Sequence, residues 1–116
     1  MTDRPSLGQF EQLVLTAILK LADGAYGVTI HRGVEALMTP RSCQLGAVYA
    51  TLDRLEDKGL IESWLSEPTA QRGGRARRHY RLSAEGAEAL KDAAATSKRL
   101  YEAVEQQWGE MPWSPA

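Results

Sequence analysis

Five arginines, Arg72, Arg75, Arg77, Arg78 and Arg81, crowd one stretch of the chain with His79 among them, and no acidic residue lies anywhere from Pro68 to Ala84. Guanidiniums set this close repel one another and add nothing to stability unless a polyanion neutralises them, so the chemistry they suit is phosphate binding. Gly73 and Gly74 sit among them and make a narrow tip able to enter or straddle a minor groove, where arginine is favoured by the concentrated negative potential. Other chemistries find no residues. No nucleophile stands with a base, no carboxylate pair shares a face and no phosphate loop is spelled out, which argues against an enzyme. His79 reads as a strand residue beside the arginines. Cys43 is the single cysteine and His31 and His79 the two histidines, so neither an internal disulfide nor a structural zinc site is expected, and no cofactor is implied.

The chain as a whole carries 14 basic and 15 acidic side chains, a net charge of −1. That near-neutrality does not argue against a polyanionic partner, because binding responds to the field at the contacting face. The acids gather after the arginines, where Glu85, Glu88, Asp92, Glu102, Glu105 and Glu110 outnumber Lys91, Lys98 and Arg99. A length of 116 residues suits one small domain with an appended helix, too little for a cofactor domain plus a substrate domain. No stretch reaches the roughly 20 apolar residues that span a bilayer, and the first residues lack a basic region followed by an apolar one. A soluble, cytoplasmic protein without a membrane partner is expected.

The periodicities say which elements carry these residues. Ser6 and Gln9 have the spacing of a capping box, and Phe10, Leu13, Val14, Ala17, Ile18 and Leu21 then recur at three and four, predicting a helix over Leu7 to Ala22 that Gly24 ends in a left-handed conformation. Ile30, Val34, Leu37 and Met38 predict a second helix from Tyr26 to Met38, stopped by Pro40. Leu45, Val48, Leu52 and Leu55 stripe a third, which runs to Lys58 and ends at Gly59. Leu60 to Ser66 reads as a strand and Arg77 to Leu82 as its hairpin partner, with Arg78, Tyr80 and Leu82 on one side and Arg77, His79 and Arg81 on the other. Ser83 caps a final helix on which Leu90, Ala94, Ser97, Tyr101, Val104 and Trp108 alternate at four and three, a heptad seam. The expected organisation is a DNA-binding domain over 1–83, a dimerisation helix over 84–110 and a tail over 111–116.

Three helices followed by a two-stranded wing define a mainly α fold with a small β element, the winged helix-turn-helix, whose third helix enters the DNA major groove. On that helix, 100° per residue sets Cys43, Ala47, Ala50 and Arg54 opposite the apolar stripe, with Thr51 on its flank. Gly46, Ala47 and Ala50 let the backbone approach the groove walls, while Arg41, Ser42, Gln44 and Thr51 are within reach of phosphates or base edges. An alternative use of the fold is a protein-interaction module in which the arginines meet an acidic partner.

Three segments also resemble PadR-family transcriptional regulators. These are Ala25-Tyr26-Gly27, the run Leu45-Gly46-Ala47-Val48-Tyr49-Ala50-Thr51-Leu52-Asp53-Arg54-Leu55-Glu56 with Lys58-Gly59-Leu60-Ile61, and Gly73-Gly74-Arg75 leading to Arg78-His79-Tyr80-Arg81-Leu82-Ser83-Ala84-Glu85-Gly86. The resemblance covers Leu7 to Leu90. It implies a homodimeric winged-helix protein that binds a palindromic operator in double-stranded DNA, usually as a repressor. It puts Tyr49, Thr51 and Arg54 on the recognition helix and adds Tyr26 to the DNA-binding set, beside Arg72, Gly73, Gly74, Arg75, Arg77 and Arg78 of the wing. Where many members carry Ser or Thr before that helix and proline after the tyrosine, this chain has Gln44 and Ala50.

The resemblance includes members with a short C-terminal part, as here. A lone helix has nowhere to bury Leu90, Ala94, Ser97, Tyr101, Val104 and Trp108 except the first helix, with Phe10, and the same elements of a second subunit, so a homodimer is expected. Some relatives bind small aromatic effectors at that interface, and Phe10, Tyr101 and Trp108 are the candidates to line such a pocket.

Overall fold

The computed structural model describes residues 6–67 and 76–110. Helix α1 (Gln9–Leu21) begins two residues later than the Ser6/Gln9 pattern predicts. The working cap is Glu11, whose Oε1 accepts the Gly8 N–H at 3.0 Å, so one otherwise orphaned donor is satisfied by the third helical residue rather than by Ser6. The end of α1 also differs: Ala22, at φ 51°, takes the positive dihedral expected of Gly24, which instead closes a 3₁₀ turn over Ala22–Gly24.

Helix α2 (Gly27–Met38) stops ahead of Pro40, and α3 (Leu45–Asp57) follows after a short turn. Gly59 ends α3 as predicted. At φ 76° it sits where an L side chain would be strained, and there its N–H donates to the Glu56 carbonyl at 2.9 Å while Leu60 N–H reaches back to Leu55 at 3.0 Å. Strands β1 (Ile61–Leu65) and β2 (Arg78–Leu82) pair antiparallel, Ile61 opposite Leu82 and Leu65 opposite Arg78. The segment before α2 adds to this sheet: Tyr80 N–H donates to the Ala25 carbonyl at 3.0 Å, and Tyr26 bridges His79. The wing is therefore fastened to the helix-turn-helix by backbone bonds.

Helix α4 (Ala84–Glu110) starts at the predicted cap, with Ser83 Oγ accepting the Gly86 N–H at 3.0 Å. The core gathers Val14, Leu15 and Ile18 of α1, Ile30 and Val34 of α2, Val48, Leu52 and Leu55 of α3, and Leu60, Ile61 and Tyr80 at the wing's base. From α4, Ala89 and Leu90 join it. Leu90 thus belongs to the interior of the protomer, correcting its place in the expected intersubunit seam: it lies in the early part of α4, where the helix still packs on α1 and β2. Phe10 likewise packs half-buried against its own core.

An ion pair ties the start of α1 to the end of α3, with Lys58 Nζ 2.8 Å from Glu11 Oε2. Burial of Glu11 raises its pKa, but the bonds from Lys58 and the Gly8 N–H, with the charges of Lys58 and Arg54, outweigh this and hold it below the ordinary glutamate value. The folded state therefore prefers the ionised carboxylate, so its contribution is present above the ordinary glutamate range and is lost as the pH falls below that range. Urea unfolding as a function of pH should show Glu11→Gln less stable than the parent at neutral pH and the two converging in acid; a constant gap would place the stabilisation elsewhere.

Candidate nucleic-acid interface

Helix α3 exposes Gly46, Ala47, Ala50 and Arg54, while Val48, Leu52 and Leu55 fill the core. On the exposed side the first two turns carry only the small residues Gly46, Ala47 and Ala50 beside the Tyr49 ring, and Gln44, the N-cap residue, makes no side-chain cap bond. The Ala47 N–H donates to the Gln44 carbonyl at 3.0 Å, so an anion at this end would meet the N–H groups ahead of it. Further along, Asp53, Glu56 and Asp57 are exposed and would repel phosphates, so charge favours approach through the N-terminal half. Arg41, Ser42 and Gln44 are exposed in the turn just before it.

Two residues projected onto this face are elsewhere. Thr51 is 1% exposed and its Oγ1 accepts a bond from Arg54 Nη2 at 3.0 Å. It stands three residues after Val48 and four before Leu55, which draws it to the core side of the helix and out of the DNA-facing set. Cys43 precedes the first residue of α3, so helical projection does not apply to it; it packs half-buried against the core instead.

Tyr49 is 43% exposed, with its hydroxyl end over Gly27, where any Cβ would collide with it. The glycine of the Ala25-Tyr26-Gly27 segment leaves the space at the start of α2 that the Tyr49 phenol of α3 occupies.

On the wing, one face forms a continuous stack. Trp64 and His79, opposite each other in the ladder, stack at 5.7 Å, and His79 meets Tyr26 edge-on at 5.8 Å. The Arg77 guanidinium lies 3.8 Å over the Tyr26 ring, and that of Arg81 lies 5.3 Å from the Trp64 ring. Tyr26 is thus placed as the platform that aims Arg77. The expectation that the wing arginines have no acidic neighbour is corrected at Arg81, whose Nε donates to Glu62 Oε1 at 2.9 Å. Glu62 is its cross-strand neighbour, 19 residues away in sequence, and pairing across a ladder is invisible to a scan of neighbouring residues. Arg78 Nη1 donates to Ser63 Oγ at 2.9 Å, and Ser63 in turn donates to Glu56 of α3, bracing the wing against that helix. Arg72, Gly73, Gly74 and Arg75 lie outside the described residues.

A third grouping escapes a sequence reading that takes only sulfur and imidazole as ligands. His79 is in the wing, but His31 lies beside Cys43: its Nε2 is 2.8 Å from the Cys43 carbonyl oxygen and 3.6 Å from Glu35 Oε1. The Cys43 N–H points at Glu35 Oε2 from 3.4 Å. Burial, then the Glu35 charge, push the Cys43 thiol above its ordinary range.

Along α4, Leu100, Tyr101, Val104 and Trp108 are exposed and line one groove with Ser97; Ala94 is exposed a turn earlier. Phe10 lines a different groove with Leu13, Leu37 and Arg41. Within one protomer, then, Phe10 does not join Tyr101 and Trp108 in a common pocket. Among the described residues, no helix is long and apolar enough to cross a membrane.

Several solved structures share this arrangement. A PadR family transcription regulator from Clostridium difficile is 26% identical, with a TM-score of 0.69 over 85% of this chain and 97% of that one. A PadR-like transcription factor from Bacteroides fragilis is 25% identical, also with a TM-score of 0.69, over 85% and 89%. A PadR-like transcriptional regulator from Bacillus cereus, at 21% identity and a TM-score of 0.69 over 84% and 88%, shares the fold. No curated protein sequence matches the chain. The profile of the transcriptional regulator PadR-like family matches residues 14–92. That match runs from α1 through α3 and the wing into α4, and the chain belongs to the PadR-like family of transcriptional regulators.

Proposed function

We propose that the protein is a sequence-specific repressor that binds a palindromic operator as a homodimer. The observation that carries this reading is the outward face of small residues on α3, Gly46, Ala47 and Ala50, set beside a wing whose Arg77 and Arg78 are held by Tyr26 and Ser63. The small residues let α3 sink into the major groove, and the wing arginines reach the flanking phosphates or the minor groove. Arg41, Ser42, Gln44, Tyr49 and Arg54 border the groove contact, and Arg72, Gly73, Gly74 and Arg75 are assigned to the same DNA-binding set by their charge and spacing in the sequence. The homodimer is supported by Leu100, Tyr101, Val104 and Trp108, an apolar stripe on a helix about 40 Å long that its own domain covers only at the start. Two copies joined there bring two recognition helices to half-sites about one helical turn apart. A cytoplasmic location accords with this role. An aromatic effector would enter between the two α4 helices near Tyr101 and Trp108, with Phe10 contributed across the interface.

Selection from a random duplex library tests the reading: it should enrich a palindrome, and a reporter under that sequence should be silenced when the protein is present. An unenriched pool would contradict specific recognition. Replacing Arg77 and Arg78 with alanine should weaken binding to every duplex alike and make the plot of log affinity against log salt shallower by about 0.9 for each phosphate no longer neutralised. Unchanged slope in the double variant would show that these two side chains do not engage the phosphates.

A further inference from the structure

We propose that His31, Glu35 and Cys43 form a binding site for a divalent transition metal of the zinc type, clipping α2 to the start of the recognition helix. The imidazole nitrogen, the carboxylate oxygen and Cys43 Sγ all lie within 4.8 Å of one another. Ligand atoms around a tetrahedral zinc ion stand roughly 3.3–3.8 Å apart, given bonds of about 2.0–2.3 Å, so side-chain rotation of about 1 Å closes the set. Two parts of the fold make the convergence. His31 and Glu35 are one turn apart on the same face of α2, and the turn after Pro40 returns Cys43 to that face, where its backbone already contacts both side chains.

The donor set points to the class of ion. A thiolate, an imidazole and a carboxylate suit zinc, whereas magnesium and calcium prefer oxygen ligands alone. All three residues are half-buried, which leaves a fourth, solvent-side position for water, as in an open three-ligand site. On binding, the Cys43 thiol gives its proton to solvent, the His31 ring moves its proton from Nε2 to Nδ1 by exchange with water so that Nε2 leaves the Cys43 carbonyl for the metal, and no electron is transferred. Two anions placed side by side, Glu35 and the thiolate, are neutralised by the dication. Cys43 lies two residues before Leu45, the first residue of α3, so the ion would fix the turn that sets the angle between the two helices.

The test is titration of chelator-treated protein with Co(II) alone, followed by displacement with Zn(II). One equivalent per chain should bring in thiolate-to-cobalt charge-transfer absorption in the near ultraviolet together with the visible bands of a tetrahedral ion, and zinc should abolish both. Cys43→Ser should lose the charge-transfer band, and His31→Gln and Glu35→Gln should each weaken zinc binding tenfold or more, with far-ultraviolet circular dichroism confirming that all three fold. Absence of the charge-transfer band in the parent would overturn the proposal. So would a band saturating at one ion per two chains, or unchanged affinity in both His31→Gln and Glu35→Gln, since either assigns Cys43 to a different ligand set.

Discussion

Replacing Tyr101 and Val104 together with aspartate should split the proposed dimer into monomers. Both side chains stand on the exposed apolar stripe of α4, 66% and 39% accessible in the protomer, so neither supports the fold of its own chain. In a packed seam they would lose water, and a charge left buried without a partner costs roughly 3–5 kcal/mol. Even one such charge weakens association by about a hundredfold or more. Sedimentation velocity at micromolar protein should read the change in mass, with circular dichroism and melting of the protomer little altered. Operator affinity should fall with the dimer, because a second tethered half-site contributes about 10²–10⁴-fold through effective concentration. A dimer of unchanged mass after both substitutions would place the subunit interface away from this stretch of α4.

Gly86→Ala should damage the fold more than any surface change in the same helix. Gly86 is buried in the first turn of α4, and a Cβ there would land on the Leu60 carbonyl. That carbonyl is backbone and already accepts the Ser83 N–H at 3.0 Å, while Ser83 Oγ donates to the Gly59 carbonyl at 2.6 Å. To make room, α4 must lift from the corner where it meets the end of α3 and the start of β1, and those bonds must stretch. Overpacking against an unyielding group costs about 2–4 kcal/mol, which for a domain of this size lowers Tm by on the order of 10–20 °C. The control is Gly109→Ala in the same helix, where nothing lies within 4 Å of the added Cβ and helix propensity improves. Thermal unfolding at one fixed protein concentration should separate the two variants clearly; equal melting would show that α4 does not need this close approach.

The helices and the wing are legible in the sequence because their signals are local: apolar stripes at three and four, Gly59 after α3, Ser83 before α4. What is not legible depends on residues distant in sequence or on a shift of one or two positions. Glu11 can be recognised as the cap only once Gly8, not Ser6, is known to precede the helix. Thr51 sits at the margin of its helix, where a rotation of a few tens of degrees decides between groove and core, and packing between Val48 and Leu55 decides for the core. Arg81 looks unpaired until the hairpin register sets it opposite Glu62. Leu90 and Tyr101 share one heptad pattern yet differ in fate, because periodicity gives the face of a helix and not where along its length the neighbouring domain ends. The grouping of His31, Glu35 and Cys43 needs the path of the turn between α2 and α3, which no spacing rule supplies.

The measurement closest to the central claim is the anisotropy of a labelled mixed-sequence duplex against protein concentration at several salt concentrations. Neutralisation of phosphates by the wing and by the start of α3 predicts that log affinity falls linearly with log salt, with a slope worth several phosphates. Failure to bind even at low salt would contradict DNA recognition through this face and turn its arginines toward an acidic protein partner.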